Sequence, residues 1–194
     1  MSRMLNPDVR TQILHAAGAA FYENGFQSIG VDTLAERAGV SKMTLYRYFP
    51  SKDDLIVSVL NEFDQGTRAF YGQIMAKAKT PRTKLLAIFT WIADRASESD
   101  CRGCAFQNGA AEFPNADHVV HQAAFANKLA THAAYLEQAK AMGARHPKLL
   151  ADQLLLLTDG AWAAARMWGA KSPAQSVVAA AKTLIDAQLR PVRQ

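Results

Sequence analysis

The chain has 194 residues, of which 49% are apolar, and its formal net charge is +5. This composition excludes an intrinsically disordered chain and predicts one or two small domains, each with an apolar core. Alanine occurs 36 times, whereas valine and isoleucine together occur 17 times. Because alanine favours helices and β-branched residues favour strands, we predict an all-α protein.

The sequence contains no segment typical of a membrane span or a secretory signal. Charged residues, among them Asp152, Asp159 and Arg166, interrupt the longest apolar stretches. These stretches therefore fall short of the roughly 20 apolar residues that a span needs. The first eight residues contain no apolar run of the kind that a secretory signal requires. We expect a cytoplasmic protein with no membrane partner.

Prolines, glycines and capping residues divide the chain into about nine predicted helices. Asn24 and Gly25 are typical of a helix end, and Ser51 with Asp54 resembles a capping box at a helix start. The predicted helices cover about 8–24, 31–38, 41–49, 51–79, 82–98, 104–112, 116–142, 148–169 and 173–189.

Residues 34–49 have the pattern of a helix-turn-helix. Two short helices that cross steeply need small side chains where they touch, and Ala35 and Ala38 meet this need. Gly39 can adopt the positive φ of a tight turn, and Ser41 is a natural N-cap for the second helix. The pattern thus predicts a helix pair joined by a tight turn.

The second helix of this pair has an outward face suited to DNA. Leu45 and Phe49 are four residues apart and are expected to turn inward. The outward face then offers two cations, a flexible apolar group and a phenol, which suit base edges and phosphates in a major groove. These residues are Lys42, Met43, Tyr46 and Arg47. On spacing alone, an ordinary helix pair with a solvated face remains open.

The string from Val31 to Ser41, followed by Thr44 to Phe49 and Ser51 to Leu55, resembles the N-terminal domain of the TetR family of transcriptional repressors. The resemblance covers about residues 8–60. It implies a three-helix DNA-binding domain, which we place at 1–50, and a C-terminal helical domain at 51–194 that binds a small effector and dimerises. It also implies a homodimer that places two recognition helices on double-stranded operator DNA.

The resemblance also implies roles for individual residues. Lys42 and Met43 match positions that commonly read bases, and Lys52 matches a phosphate contact. Gly30 departs from the Ser or Thr that the family often has as the cap of the second helix, so Thr33 becomes the better contact on that helix. The predicted DNA-binding residues are Thr33, Ser41, Lys42, Met43, Thr44, Tyr46, Arg47, Tyr48 and Lys52.

The last two predicted helices carry more apolar surface than a monomer needs, which indicates dimer helices. The family resemblance points the same way, and a purely internal core is the alternative. The predicted interface residues are Leu154, Ala161, Ala165, Val177, Ala181, Leu184 and Ile185.

An effector pocket needs a mostly apolar lining with a few polar groups. Each candidate for that lining has plain core packing as its alternative. The candidates are Phe89, Trp91, Phe106, Asn108, Phe125, Trp162 and Met167.

Two cysteines three residues apart allow three interpretations. Cys101 and Cys104 could be structural, could form a redox pair, or could join His118 and His121 in a zinc site. The spacing of the two histidines is shorter than usual for zinc, and the family resemblance gives Cys104 a place that needs no metal. We predict no bound metal.

No nucleophile elbow, phosphate loop, dinucleotide fingerprint or metalloprotease motif occurs in the sequence. We therefore predict a protein that is not an enzyme and has no cofactor. The expected function is that of a sequence-specific transcriptional repressor, released from a palindromic operator by a small molecule. The alternative is a redox-responsive or metal-responsive sensor that uses Cys101 and Cys104.

Overall fold

The structure, a computed structural model, describes residues 6–189, apart from the side chain of residue 170. Residues 1–5 and 190–194 lie outside this range. They belong to the predicted domains 1–50 and 51–194, and residues 1–5 also enter the prediction that the chain has no secretory signal. Nine α-helices and no strands occur in the described part of the chain. They are α1 (Pro7–Asn24), α2 (Val31–Arg37), α3 (Lys42–Tyr48), α4 (Lys52–Ala76), α5 (Pro81–Ala96), α6 (Ala105–Glu112), α7 (Val119–Ala141), α8 (Pro147–Trp168) and α9 (Val177–Leu189).

The all-α prediction is confirmed, and the helix boundaries mostly agree within three residues. The largest difference lies before α9, where residues Pro173–Ser176 form a 3-10 turn rather than α-helix. The hydroxyl of Ser172 accepts a hydrogen bond from the backbone N–H of Ala174 at 3.2 Å. Pro173 has no N–H to donate and can occupy the first turn, where none is needed.

Local capping explains where the first helix begins and ends. The side chain of Asn6 accepts a hydrogen bond from the N–H of Asp8 at 2.9 Å, and Pro7 occupies the first position. At the other end, Gly25 has a φ of +90°, which an L side chain rarely adopts. Both signals are local in the sequence, so this helix is predictable from sequence.

The described residues form two compact units. The first takes in residues 6–65 and 105–125, and the second takes in 66–104 and 126–189. This division reflects packing, whereas the functional division at residue 50 stays a prediction. Two helices, α4 and α7, contribute residues to both units.

The first unit has a core of aromatic and aliphatic side chains. Phe21 and Phe26 lie with ring centroids 5.4 Å apart, and both are buried. Leu55, Ile56 and other residues on the inner side of α4 are completely buried in the same unit. Since hydrophobic burial is the main favourable term in folding, this core holds α1 to α3 in place.

In the second unit, α5, α8 and α9 pack against one another. The Arg82 guanidinium on α5 contacts the Asp186 carboxylate on α9 at 2.8 Å. Hydrogen bonding from Arg82 holds the pKa of Asp186 below its usual value, and Lys182 acts in the same direction. Among the helices in the described ranges, none is both long and apolar enough to cross a membrane.

Candidate nucleic-acid interface

A four-residue turn, 38–41, joins α2 to α3. Gly39 has a φ of +61° within it, in the left-handed region that favours glycine. The N–H of Gly39 donates to the carbonyl of Glu36 at 2.9 Å, and the N–H of Val40 donates to the carbonyl of Ala35 at 3.0 Å. The predicted tight turn at this glycine is confirmed.

Small side chains lie where the two helices of the motif meet. Ala35 and Ala38 are buried, and the inner side of α3 contributes Leu45, which is completely buried. A larger residue at either alanine would overfill a packed seam. These residues therefore hold the two helices in a helix-turn-helix arrangement, as the spacing predicts.

Ser41 caps α3, as predicted. Its hydroxyl oxygen accepts a hydrogen bond from the N–H of Thr44 at 3.0 Å and lies 2.9 Å from the Thr44 hydroxyl. By contrast, Gly30 caps α2 without a side-chain hydrogen bond. A Cβ built on Gly30 meets no atom within 4 Å, so the family's usual serine or threonine would fit there.

The outward face of α3 has the composition that the periodicity predicts. Lys42, Met43, Tyr46 and Arg47 are all exposed, and 82% of the surface of Met43 is accessible. An apolar side chain this exposed on a seven-residue helix stabilises nothing within the subunit. The orientation of the face is confirmed, and its contact with DNA remains a proposal.

Asp32 on α2 pairs with the lysine of this face. Its carboxylate lies 2.9 Å from the Lys42 ammonium, and both side chains are more than half exposed. The hydrogen bond to Asp32 raises the pKa of Lys42 above its usual value. Asp32 thus restrains Lys42, a role that the sequence analysis missed. The spacing of ten residues between Asp32 and Lys42 matches no local sequence pattern, because the two side chains meet only where α2 and α3 cross.

Three other predicted contact residues lie beside this face. Thr33 is exposed on α2, whereas Thr44 and Tyr48 are half-buried on α3. The Tyr48 hydroxyl accepts a hydrogen bond from the N–H of Asn6 at 2.9 Å. The Arg47 guanidinium lies 5.5 Å from the centre of the Tyr48 ring, within the range of a cation–π contact.

Lys52 begins α4, just after Ser51. The Ser51 hydroxyl oxygen accepts from the N–H of Asp54 at 3.0 Å, which confirms the predicted cap. The Lys52 ammonium is half-buried and donates to the carbonyl of Gln27 at 3.1 Å. Burial lowers the pKa of Lys52, while Glu112 and Asp53 oppose that effect. Its predicted phosphate contact would therefore compete with a bond inside the protein.

Glu112, at the end of α6, is a second residue that sequence reasoning missed. Its carboxylate accepts from the N–H of Gln27 at 2.7 Å, and its carbonyl accepts from the Gln27 side chain. Near it, the imidazole of His118 lies 3.2 Å from the Asp53 carboxylate. These contacts tie α6 and the loop after it to the helix-turn-helix unit. They join residues up to 85 positions apart, which no local pattern reveals.

The predicted effector residues belong to both units. Trp91 and Trp162 are half-buried in the second unit, with ring centroids 5.9 Å apart, and Phe89 is buried there. Phe106 is buried and Asn108 half-buried in the first unit.

Two other effector candidates are exposed. Phe125 on α7 and Met167 on α8 have 58% and 81% of their surface accessible. Their contact with an effector stays a prediction.

The predicted interface residues lie mostly inside their own subunit. Leu154, Ala161, Ala165, Val177, Ala181 and Ile185 are buried in its core, and Leu184 is half-buried against that core. These side chains contribute to the internal core that was the alternative, and their place in a dimer interface stays a prediction.

The cysteines and histidines do not assemble. Cys101 is buried and Cys104 half-buried, and neither takes part in a disulfide. His118 stacks on Phe113, and His121 bonds to the Phe113 carbonyl at 2.8 Å. Within residues 6–189, no three metal-ligating side chains come together. A redox response that uses the two cysteines stays a prediction. To test it, operator binding is measured with and without hydrogen peroxide, in the wild type and in a variant with both cysteines replaced by serine.

Comparisons with known proteins agree with the helix-turn-helix. The family model described as bacterial regulatory proteins of the tetR family matches residues 13–59. The chain is 42% identical to the transcriptional activator FasR of Mycolicibacterium smegmatis over 59 residues, which is 30% of this chain and 27% of FasR. The chain thus spans about a quarter of the length of this curated relative. Other curated relatives include transcriptional repressors.

Solved structures match along almost the whole chain. A TetR-family transcriptional regulator from Streptomyces coelicolor has a TM-score of 0.89 and 28% identity, with 94% of this chain and 97% of that chain covered. A TetR transcriptional regulator from Streptomyces avermitilis has a TM-score of 0.83 and 33% identity, covering 94% and 99% of the two chains. Since the match spans nearly all of such a regulator, the chain belongs to the TetR family of DNA-binding transcriptional regulators.

Proposed function

We propose that this regulator is a cytoplasmic repressor that binds a palindromic operator as a homodimer and leaves it when a small molecule binds. The observation that carries this proposal is the exposed face of α3, which presents Lys42, Met43, Tyr46 and Arg47. Cations and amphipathic groups on a short exposed helix suit the major groove. The protein acts by binding and has no enzymatic activity in this proposal.

A dimer can form through the outward side of α8. Leu156 is 71% exposed and Met167 81% exposed. With three other exposed residues they lie on a single helix face, at spacings of seven, four, three and four residues. This row, the α8 outer stripe, consists of Leu149, Leu156, Gly160, Ala163 and Met167. Polar residues, Asp152 and Gln153, lie between Leu149 and Leu156, and the row is apolar from Leu156 to Met167. An apolar row of this length on a subunit surface favours a protein partner.

Selection of genomic fragments by the purified protein tests the proposed function. We expect the enriched fragments to share an inverted repeat, with half-site centres roughly 34–36 Å apart or a multiple of that distance. A footprint at two salt concentrations then separates sequence-specific binding from phosphate attraction. If no fragment is enriched above bulk DNA, the operator-binding proposal is wrong.

Replacement of Asp32 by alanine tests its effect on specificity. The change frees Lys42 and removes a negative charge beside the proposed DNA-reading face. We expect affinity for non-operator DNA to rise about 3- to 10-fold, and the salt dependence of binding to steepen by about one unit of slope. Affinity for operator and non-operator DNA, each titrated at several salt concentrations, measures both effects.

Glu98→Ala is the matched control for the Asp32 variant. Glu98 also forms an exposed ion pair, with Arg95 at 2.8 Å, but it lies in the second unit. We expect no change in either affinity for this variant. Non-operator affinity that stays the same in Asp32→Ala would contradict the role given to Asp32.

A further inference from the structure

A group of polar side chains joins α7 and α8 in the second unit. The Tyr135 hydroxyl lies 2.8 Å from the Thr158 hydroxyl, and both residues are buried. The Lys128 ammonium pairs with the Asp159 carboxylate at 2.5 Å and lies 3.7 Å from the Cys104 sulfur. Polar groups this deep are normally satisfied by one another, and these four side chains and the thiol are.

Tyr71 on α4 is the exception. Its hydroxyl has no hydrogen-bond partner within the described ranges, 6–189. Burial raises the pKa of Tyr71 well above its usual value, and the nearby Tyr135 and Cys104 add to that rise. The residue is half-buried in the second unit, where its ring packs against that of Trp91.

The Tyr71 hydroxyl keeps some accessible surface. Every fully buried side-chain nitrogen or oxygen in the described residues has a partner. Since the Tyr71 hydroxyl has none, its oxygen is not fully buried. A half-buried donor without a protein acceptor can bond to a molecule that enters from outside.

Aromatic rings lie next to this donor. The Tyr71 ring meets the edge of Trp91, with centroids 5.3 Å apart, and Trp91 meets Trp162 edge-on at 5.9 Å. Phe70 also contacts Trp91, at 5.3 Å. Both tryptophans are half-buried, so part of each ring remains available for contact. Edge-to-face geometry of this kind suits a planar aromatic guest.

The charges in this region favour an uncharged guest. The Lys128 ammonium is already paired with the Asp159 carboxylate, so neither a cation nor an anion would meet an unpaired counter-charge from this pair. A charged molecule would lose its hydration free energy without a compensating ion pair. An uncharged molecule has much less hydration free energy to lose.

We propose that the effector is an uncharged aromatic compound. An acceptor atom of this compound accepts a hydrogen bond from the Tyr71 hydroxyl, and the ring of the compound packs against Trp91 and Trp162. The inference rests on the proposed function, because it names the chemical class of the small molecule that releases the operator. It differs from the pocket predicted from sequence by placing the Tyr71 hydroxyl at the centre.

Three probes of similar size test the proposal by calorimetry. They are 2-acetylnaphthalene, which has a carbonyl acceptor, 2-ethylnaphthalene, which has none, and 2-naphthoate, which is an anion. We expect the ketone to bind about tenfold more tightly than either of the others, as expected for one added hydrogen bond in a neutral site. In Tyr71→Phe, the affinity for the ketone should fall to that of 2-ethylnaphthalene, whose own affinity should not change.

Tyr135→Phe is the matched control, because its hydroxyl already pairs with Thr158. We expect this variant to melt at a lower temperature while the affinity ratio of ketone to hydrocarbon stays as in the wild type. An equal ratio in wild type and Tyr71→Phe, tighter binding of the naphthoate, or no binding of any probe would overturn the proposal. Operator binding without probe is measured in parallel, and its absence in the wild type would instead refute the proposed function.

Discussion

Replacing Lys42 or Arg47 by alanine is expected to weaken operator binding by about 5- to 150-fold, the loss typical of one bidentate base contact. The two side chains lie on the exposed face of α3, where the subunit gives them no packing role. Each change should also relax the sequence preference at one position of each half-site. Titration of the operator and of single-base variants of it measures both effects.

Lys52→Ala should behave differently. A phosphate contact carries no sequence information, so its loss should weaken binding to all sequences alike and reduce the salt slope by about one unit. Because the Lys52 ammonium also donates to the carbonyl of Gln27, we expect a lower melting temperature as well.

Lys182→Ala is the charge-matched control for these variants. It removes one exposed positive charge from α9, in the second unit, and we expect operator affinity to be unchanged. The triple variant Lys42→Ala, Tyr46→Ala, Arg47→Ala removes most of the proposed recognition face. Wild-type operator affinity in that variant would refute α3 as the DNA-reading helix.

Leu156→Asp is expected to dissociate the dimer and to weaken operator binding by about 100-fold or more, because two linked half-site contacts become independent. The side chain is 71% exposed in the subunit, so the aspartate costs the folded monomer little. In a dimer that buries the α8 outer stripe, the same carboxylate would be buried without a partner. Sedimentation at micromolar concentration, followed by operator titration, measures both results.

Two further substitutions separate dissociation from unfolding. Thr90→Asp adds the same charge to an exposed position on α5 and should leave the dimer intact. Leu154→Asp places the charge in the subunit core, where Leu154 has no accessible surface, and should unfold the protein instead. A wild-type monomer, or a dimer that persists in Leu156→Asp, would contradict an interface on this stripe.

Local sequence signals were sufficient for the helices and for the recognition motif. Asn6, Ser41 and Ser51 each cap a helix through a backbone N–H within three residues. Gly39 makes the only tight turn that the motif needs, at a φ of +61°. Because such interactions join neighbours in the chain, they can be predicted before the fold is known.

The sequence alone did not determine which side of an apolar helix faces inward. In the run Leu154 to Leu157, all four residues are leucine, yet Leu154 is completely buried and Leu156 is 71% exposed. A uniformly apolar stretch has no polar face to orient it. The packing of α5 and α9 against α8 therefore decides the orientation.

In this protein, then, the sequence by itself determined the helices, their caps and the exposed face of α3, because each depends on residues within one or two helical turns. Only the tertiary structure decided the pairing of Glu112 with Gln27, the contact of the Tyr71 ring with Trp91 and the outward stripe of α8. Each of these depends on elements far apart in the chain, whose approach is set by the packing of the whole core rather than by any local pattern.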